Sequence, residues 1–217
     1  MRNLLIWGTG TIAELANFYF TNDTDYSVCG HVENDPRTDL DIDKKFGNVF
    51  SFKDAIEKFS PSDTDFFIAI GYQKTNKVRE QRFNEVKSIG YTCASYISSK
   101  ASVFTPNIGE NDFILENNVV QPFVEIKNNV TLWSGNHIGH HSVINENAFL
   151  ASHVVISGKC LIGRNSFLGV NATVHDGVEV GSYSVIGAGA IVSKNCEPYS
   201  VFNPTETNAR IIKRDII

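Results

Sequence analysis

Residues 149–190 read FLASHV VISGKC LIGRNS FLGVNA TVHDGV EVGSYS VIGAGA, seven six-residue blocks with Ile, Leu or Val second in each. Outward from this stretch the rule holds over fifteen consecutive slots: Ile108, Ile114, Val120, Ile126, Leu132, Ile138, Ile144, Leu150, Ile156, Ile162, Leu168, Val174, Val180, Ile186 and Val192. These residue types fill roughly a quarter of an average chain, so chance does not produce such a run. A period of six fits neither the 3.6 nor the 3.5 repeat of helices. A short fixed period is the mark of a β-solenoid, in which each repeat supplies one strand and one turn to a stack. Three repeats close a triangular coil, so the run predicts about five coils stacked ~4.8 Å apart.

The slot two residues before each aliphatic must also face inward. In the later coils it holds Val154, Cys160, Ser166, Ala172, Val178, Ser184 and Ala190, all small. Gly follows the aliphatic residue at Gly109, Gly139, Gly163, Gly169, Gly181 and Gly187. Together with Asn145 and Asn171, these glycines are expected to take the turn conformations that bulkier residues resist.

A different pattern precedes the solenoid. Residues 3–7 read as a buried strand, followed by Gly8-Thr9-Gly10-Thr11-Ile12-Ala13 and a helix to about Phe20. Residues 28–33 predict a second strand ending in Glu33-Asn34-Asp35, and Ser51 can cap a helix over 52–59. Residues 65–70 predict a third strand ending at Gly71-Tyr72; 75–88 reads as a helix and 91–97 as a last strand. Alternating strands and helices imply a small parallel α/β sheet, with the boundary near 98–107. A Gly-x-Gly-x-x-Ala turn suits a pyrophosphate at a helix N-terminus, although a plain tight strand-to-helix turn reads the same way. Ligands of open α/β sheets bind at the carboxyl ends of strands, which groups Gly8, Thr9, Gly10, Glu33, Asn34, Asp35, Gly71 and Tyr72 around one crevice.

The 217 residues carry a net charge of −5 with no basic runs, which argues against nucleic acid as a partner. No apolar stretch approaches membrane-spanning length, so no membrane insertion is expected. The four cysteines are widely spaced and suggest neither a metal site nor a disulfide framework. A cytoplasmic location is the simple expectation.

A Rossmann-like domain (1–97) followed by a left-handed parallel β-helix (98–217) resembles the hexapeptide-repeat acyltransferases of nucleotide-linked amino sugars. These include bacterial N-acetyltransferases of UDP- or dTDP-4-amino-4,6-dideoxysugars and relatives of the sialic acid O-acetyltransferases. Ile6 to Ala13, Phe67 to Tyr72, Ser134 to Ile144 and the hexads ending at Gly187-Ala188-Gly189-Ala190 carry the resemblance. It implies a nucleotide sugar in the N-terminal domain, acetyl-CoA along the β-helix between subunits of a homotrimer, and no metal. It places the general base at His140 and, at Gly158, a small residue whose backbone N–H meets the developing oxyanion. Spacing adds separate support: His140 and Gly158 are eighteen residues apart, one full coil, and so stack on each other. A base beside an oxyanion donor is what acyl transfer needs, and imidazole titrates near neutral pH.

His137 and His141 are candidate substrate contacts, and His153 and Ala188 candidate CoA contacts. His31 and His175 read as surface residues. Many members of the family carry an acidic residue after the catalytic His; His141 stands there instead, and the spacing assigns no orienting partner. Asp176, two coils from His140, reads as too far. Zinc held by histidines two coils apart is disfavoured, because the matching positions are Asp176 and Thr173. The resemblance favours dTDP-4-amino-4,6-dideoxyglucose as acceptor. O-acetylation of a sugar hydroxyl is the alternative within the class, and a non-catalytic solenoid is the bland one. Arg210 and Lys213 read as CoA phosphate ligands or plain surface charges.

Overall fold

The computed structural model describes residues 2–34 and 46–204. Strands β1 (Arg2–Trp7), β2 (Tyr26–Glu33), β3 (Val49–Ser51) and β4 (Thr64–Ile68) form one parallel sheet in the order β3-β2-β1-β4. Helices α1 (Thr11–Asp23), α2 (Phe52–Lys58) and α3 (Lys77–Ile89) connect or follow them. The central part of β1 and all of β4 are buried on both faces, as parallel strands covered on both sides must be. Ser51 caps α2 by accepting from the Asp54 N–H, as its position predicts. α3 starts later than expected, because Lys74, Thr75 and Asn76 form a left-handed turn with φ of 51°, 51° and 62°.

From Tyr96 onward the chain winds as a parallel β-helix of two-residue strands. The first face stacks strands from Tyr96–Ile97 to Val201–Phe202, the second from Ser102–Val103 to Ile191–Val192, the third from Glu125–Ile126 to Glu179–Val180. The aliphatic slots from Ile114 to Val192 are all at most 2 % exposed and form one continuous core. Val154, Cys160, Ser166, Ala172, Val178, Ser184 and Ala190 are buried beside them, as their size predicts. In the earlier coils the same inward slot holds Asp112, Asn118, Asn136 and Ser142. These avoid the cost of a bare buried polar group by accepting backbone N–H groups one coil on, from Val130, Asn136, Val154 and Cys160.

The strand expected over 91–97 is divided. Phe66 bridges Cys93 at the edge of the α/β sheet, while Tyr96–Ile97 already pairs with Phe113–Ile114 on the solenoid's first face. Period counting misses this opening coil because it is one residue short: Ile97 pairs with Ile114 and Val103 with Val120, whereas Ile108 bridges Ile126. The closing coil is shorter still, pairing Val180 with Cys196 and Ile186 with Phe202.

The turn assignment is corrected. The left-handed conformation recurs at every sixth residue from Asn111 to Gly189, three places after each aliphatic slot. Asn fills it at 111, 117, 129, 147, 165 and 171, and Gly at 135, 177 and 189. Asn145 and the glycines directly after the aliphatic residue do not adopt it. Those glycines are needed for coil contact instead: a Cβ on Gly139 would lie 2.5 Å from the Ser157 carbonyl carbon, and one on Gly163 2.4 Å from the Ser182 nitrogen.

The α/β unit sits on the solenoid's first face. Phe113, Phe149 and Phe167 point outward there, and Tyr19, Phe67 and Tyr72 cover them with ring centroids 4.7–6.0 Å apart. The adjoining edge, between third and first faces, carries a ladder of buried asparagines. Asn111 donates to Asn129, Asn129 to Asn147 and Asn147 to Asn165, at 2.8, 2.8 and 3.2 Å. Arg79 of α3 reaches this ladder fully buried, donating to the Asn129 side chain and to the carbonyls of Asn129, Asn147 and Ala148. Burial pulls its guanidinium down to about 10, still charged at neutral pH.

Candidate functional site

Two candidate sites lie on opposite sides of the prism. The first is a cleft of about 520 Å³ at the carboxyl ends of β1 and β4, where the connections leave the sheet in opposite directions. Gly8, Thr9, Gly10, Glu33, Asn34, Gly71 and Tyr72 all line it. Asp35 lies outside the described residues, as do Arg210 and Lys213. Gly8 needs to be glycine: its φ is +125° and a Cβ would lie 3.0 Å from the Ala69 carbonyl oxygen. The turn is tied to β2 at three points. Gly8 N–H donates to Val32 O at 2.9 Å, Gly8 O meets His31 Nδ1 at 2.8 Å, and Thr9 Oγ1 donates to Glu33 Oε1 at 2.8 Å. Gly10 is the N-cap of α1 and brings no side-chain cap, and Gly10, Thr11 and Ile12 line the cleft, so the helix N-terminus there is a favourable place for an anion.

His31 corrects the surface expectation. It is 0 % exposed, packed on Phe46 behind the glycine turn, and burial lowers its pKa. The register of β2 shifts at Cys29, between the Leu4–Val28 and Leu5–Gly30 pairs, and this shift sets His31 opposite Ile6. Sequence reading also missed Trp7, Gln73, Val78 and Arg82 in the cleft wall. The signal for two of them was available: Val78 and Arg82 are four apart on α3 and so share a face.

The second site is the edge between the second and third faces, opposite the face that carries the α/β unit. His140, His141 and Gly158 meet here. The His140 ring lies over Gly158, so that a Cβ on Gly158 would sit 2.7 Å from His140 Cε1 and 2.8 Å from Nε2. Main-chain contacts hold His140 on both sides: its N–H donates to Gln121 Oε1 at 2.9 Å, and its carbonyl accepts from Lys159 N–H at 2.8 Å. The ring itself is exposed, and its Nδ1 lies 3.1 Å from His141 Nδ1.

The Gly158 N–H donates to Asp176 Oδ1 at 2.8 Å. Asp176, on the coil after Gly158, extends its side chain back one coil to make this contact. His137 lies on the second face between Val119 and Val155, half-buried, next to the His140 turn. His153 and Ala188 lie on another edge, between first and second faces, and His153 rests over Gly135 as His140 does over Gly158. Within one chain, then, neither the cleft nor the His153 edge meets His140. Among the described residues no three His, Cys, Asp or Glu side chains converge to hold a metal ion, and no helix is long and apolar enough to cross a membrane.

Comparison with known proteins agrees with this architecture. The family model "Bacterial transferase hexapeptide (six repeats)" matches residues 123–158 and 159–194. No curated protein sequence matches the chain. Among solved structures, the acetyltransferase domain of PglB from Neisseria gonorrhoeae superposes with a TM-score of 0.75 at 24 % identity, covering 95 % of this chain and 99 % of that one. PerB from Caulobacter crescentus, solved with CoA and GDP-perosamine, gives a TM-score of 0.77 at 21 % identity over 93 % of each chain. WeeI from Acinetobacter baumannii gives 0.68 at 17 % identity, over 93 % of this chain and 96 % of that one. Residues 123–194 thus match the bacterial transferase hexapeptide model, in a chain that shares the fold of PglB's acetyltransferase domain and of PerB along nearly its whole length.

Proposed function

We propose that this protein transfers an acetyl group from acetyl-CoA to the amine of a nucleotide-linked amino deoxysugar, with dTDP-4-amino-4,6-dideoxyglucose as the preferred acceptor and surface-polysaccharide synthesis as the setting. The observation that carries the reading is the His140 ring seated over Gly158 on an exposed solenoid edge. A base and a backbone N–H side by side suit direct transfer. The amine nitrogen attacks the thioester carbonyl carbon while His140 Nε2 takes its proton. The Gly158 N–H meets the oxyanion once Asp176 gives it up. The C–S bond then breaks, the proton held on His140 passes to the leaving sulfur, CoA departs as the thiol, and no covalent enzyme intermediate forms.

The α/β unit is read as the Rossmann-like half that holds the nucleotide, its diphosphate at the Gly8-Thr9-Gly10 turn and the N-terminus of α1. The PglB domain and PerB have been solved with acetyl-CoA and with CoA plus GDP-perosamine respectively, which supports this pairing of ligands. Because the cleft and His140 occupy opposite sides of one chain, the complete site joins the cleft of one copy to the edge of another, as in a homotrimer. The second face supports association: Val119, Val155 and Ile191 stand outward on it, 36, 39 and 62 % exposed.

The test is release of free CoA thiol from acetyl-CoA with a panel of UDP-, dTDP- and GDP-linked amino sugars, wild type beside His140→Ala. The expected result is turnover on one amino sugar that falls by at least about 100-fold in the variant. Turnover on hydroxyl acceptors alone would replace the reading with O-acetylation, and silence from protein that does not bind CoA would remove it.

A further inference from the structure

We propose that His141 is the positioning residue of this site, holding His140 as the tautomer whose Nε2 is free to accept a proton. The inference rests on the acyl-transfer reading for its purpose, but its geometry stands apart from it. The two Nδ1 atoms are 3.1 Å apart and the rings meet nearly edge-on, at 86°. One of these nitrogens must carry the proton and the other must not. If His141 were the donor, His140 would carry its proton on Nε2, the atom seated over Gly158, and could not act as a base there. Only the reverse assignment works: His140 Nδ1–H donates, His141 Nδ1 accepts, and the Nε2 lone pair of His140 faces the reacting groups. When His140 takes the substrate proton, its Nδ1–H bond to a neutral acceptor becomes charge-assisted and strengthens as charge develops.

The surroundings hold His141 for this task. Its backbone occupies the left-handed turn slot, with φ of 59°, as do Phe123 and Lys159 on the coils before and after it. Its ring packs on Phe123 of the preceding coil, with centroids 4.7 Å apart and planes tilted by 35°. The charged groups nearest along the edge are Lys159 on the next coil and Asp176 beyond it; the coil before offers only Gln121, Pro122 and Phe123.

Long-range proton–nitrogen NMR of the histidine side chains tests the assignment without any substrate. Wild type should show His140 protonated on Nδ1 and His141 on Nε2. In His141→Gly, which suits the positive φ, His140 should revert to the Nε2–H tautomer that free imidazole prefers in water. The same variant should lose about tenfold or more in kcat, with KM for acetyl-CoA within about twofold. His141→Asn, the chain's own choice for this slot, places an amide oxygen near the lost Nδ1 and should recover kcat to within about threefold of wild type. An Nε2–H tautomer at His140 in wild type, or an unchanged kcat in His141→Gly, would overturn the proposal. Because the spectrum is read without turnover, a protein with no acyl acceptor still confirms or refutes the pair.

Discussion

At the scale of single residues, packing turns small differences into function. Gly158 is small because the His140 ring occupies the space a side chain would take. Gly158→Ala puts a methyl 2.7 Å from that ring. The ring is exposed and can swing aside, so stability should change little. A displacement of about 1 Å should lower kcat/KM by about 100-fold. Steady-state kinetics beside a thermal melt checks both halves of this statement. Asp176 makes the opposite prediction. Asp176→Ala frees the Gly158 N–H and should lower KM for acetyl-CoA by about three- to tenfold, the worth of one hydrogen bond to a neutral carbonyl. An unchanged or raised KM would show that the Gly158 N–H does not meet the thioester carbonyl. His31 gives a pH test. Burial depresses its folded pKa below the unfolded value of roughly 6.5, so the unfolded chain binds the extra proton first. The α/β unit should keep its full stability above that pH and lose stability as pH falls through the window below it. Thermal melts from pH 8 to pH 5 should show the loss, and His31→Gln should flatten it.

At the scale of elements, helix α3 is joined to the solenoid by polar groups rather than by an apolar stripe. Arg79 supplies a buried charge whose Nε and Nη2 end on the asparagine ladder and its neighbouring carbonyls, while Nη1 meets the Ile70 carbonyl. Replacing it with Leu strands those acceptors without returning a charge to water. The expected cost is about 2–4 kcal/mol, concentrated at the docking of α3, and hydrogen exchange should locate it there. Nothing in the spacing of α3 announced this role, since one arginine among surface-type residues looks like any other. The ladder itself was partly legible, because Asn at every third repeat is a visible pattern. Its conformational reason was misread: the left-handed slot lies three places after each aliphatic residue, not one. The glycines one place after it answer to coil spacing.

At the scale of the whole molecule, the α/β unit covers one face of the prism, and the His140 edge is the one that face leaves opposite. Gly10 has open space around its missing side chain, so Gly10→Glu should block the cleft without disturbing the fold. Chains carrying Gly10→Glu should be inactive alone, and so should chains carrying His140→Ala. Co-expressed and assembled together they should recover activity, because a mixed pair can combine an intact cleft with an intact edge. No recovery in mixed assemblies, verified by native mass spectrometry, would place the whole site within one chain.

The solenoid, its inward residues and the cleft at Gly8 to Gly10 were determined by sequence alone, because each follows from a rule the backbone imposes locally and repeats. A strict six-residue period admits one stacking, and a glycine turn after a buried strand leaves few places for a ligand. The stacking of His140 on Gly158 was legible for the same reason, since one coil is a fixed count of residues. Only the tertiary structure decided the rest. The opening and closing coils escaped the count because they are one and two residues short of the period. His31 went inside, Arg79 became the bolt between the two units, and Asp176 took the Gly158 N–H. Each of these depends on which side chain reaches across a gap between elements far apart in sequence, and reach in space is not written in spacing along the chain.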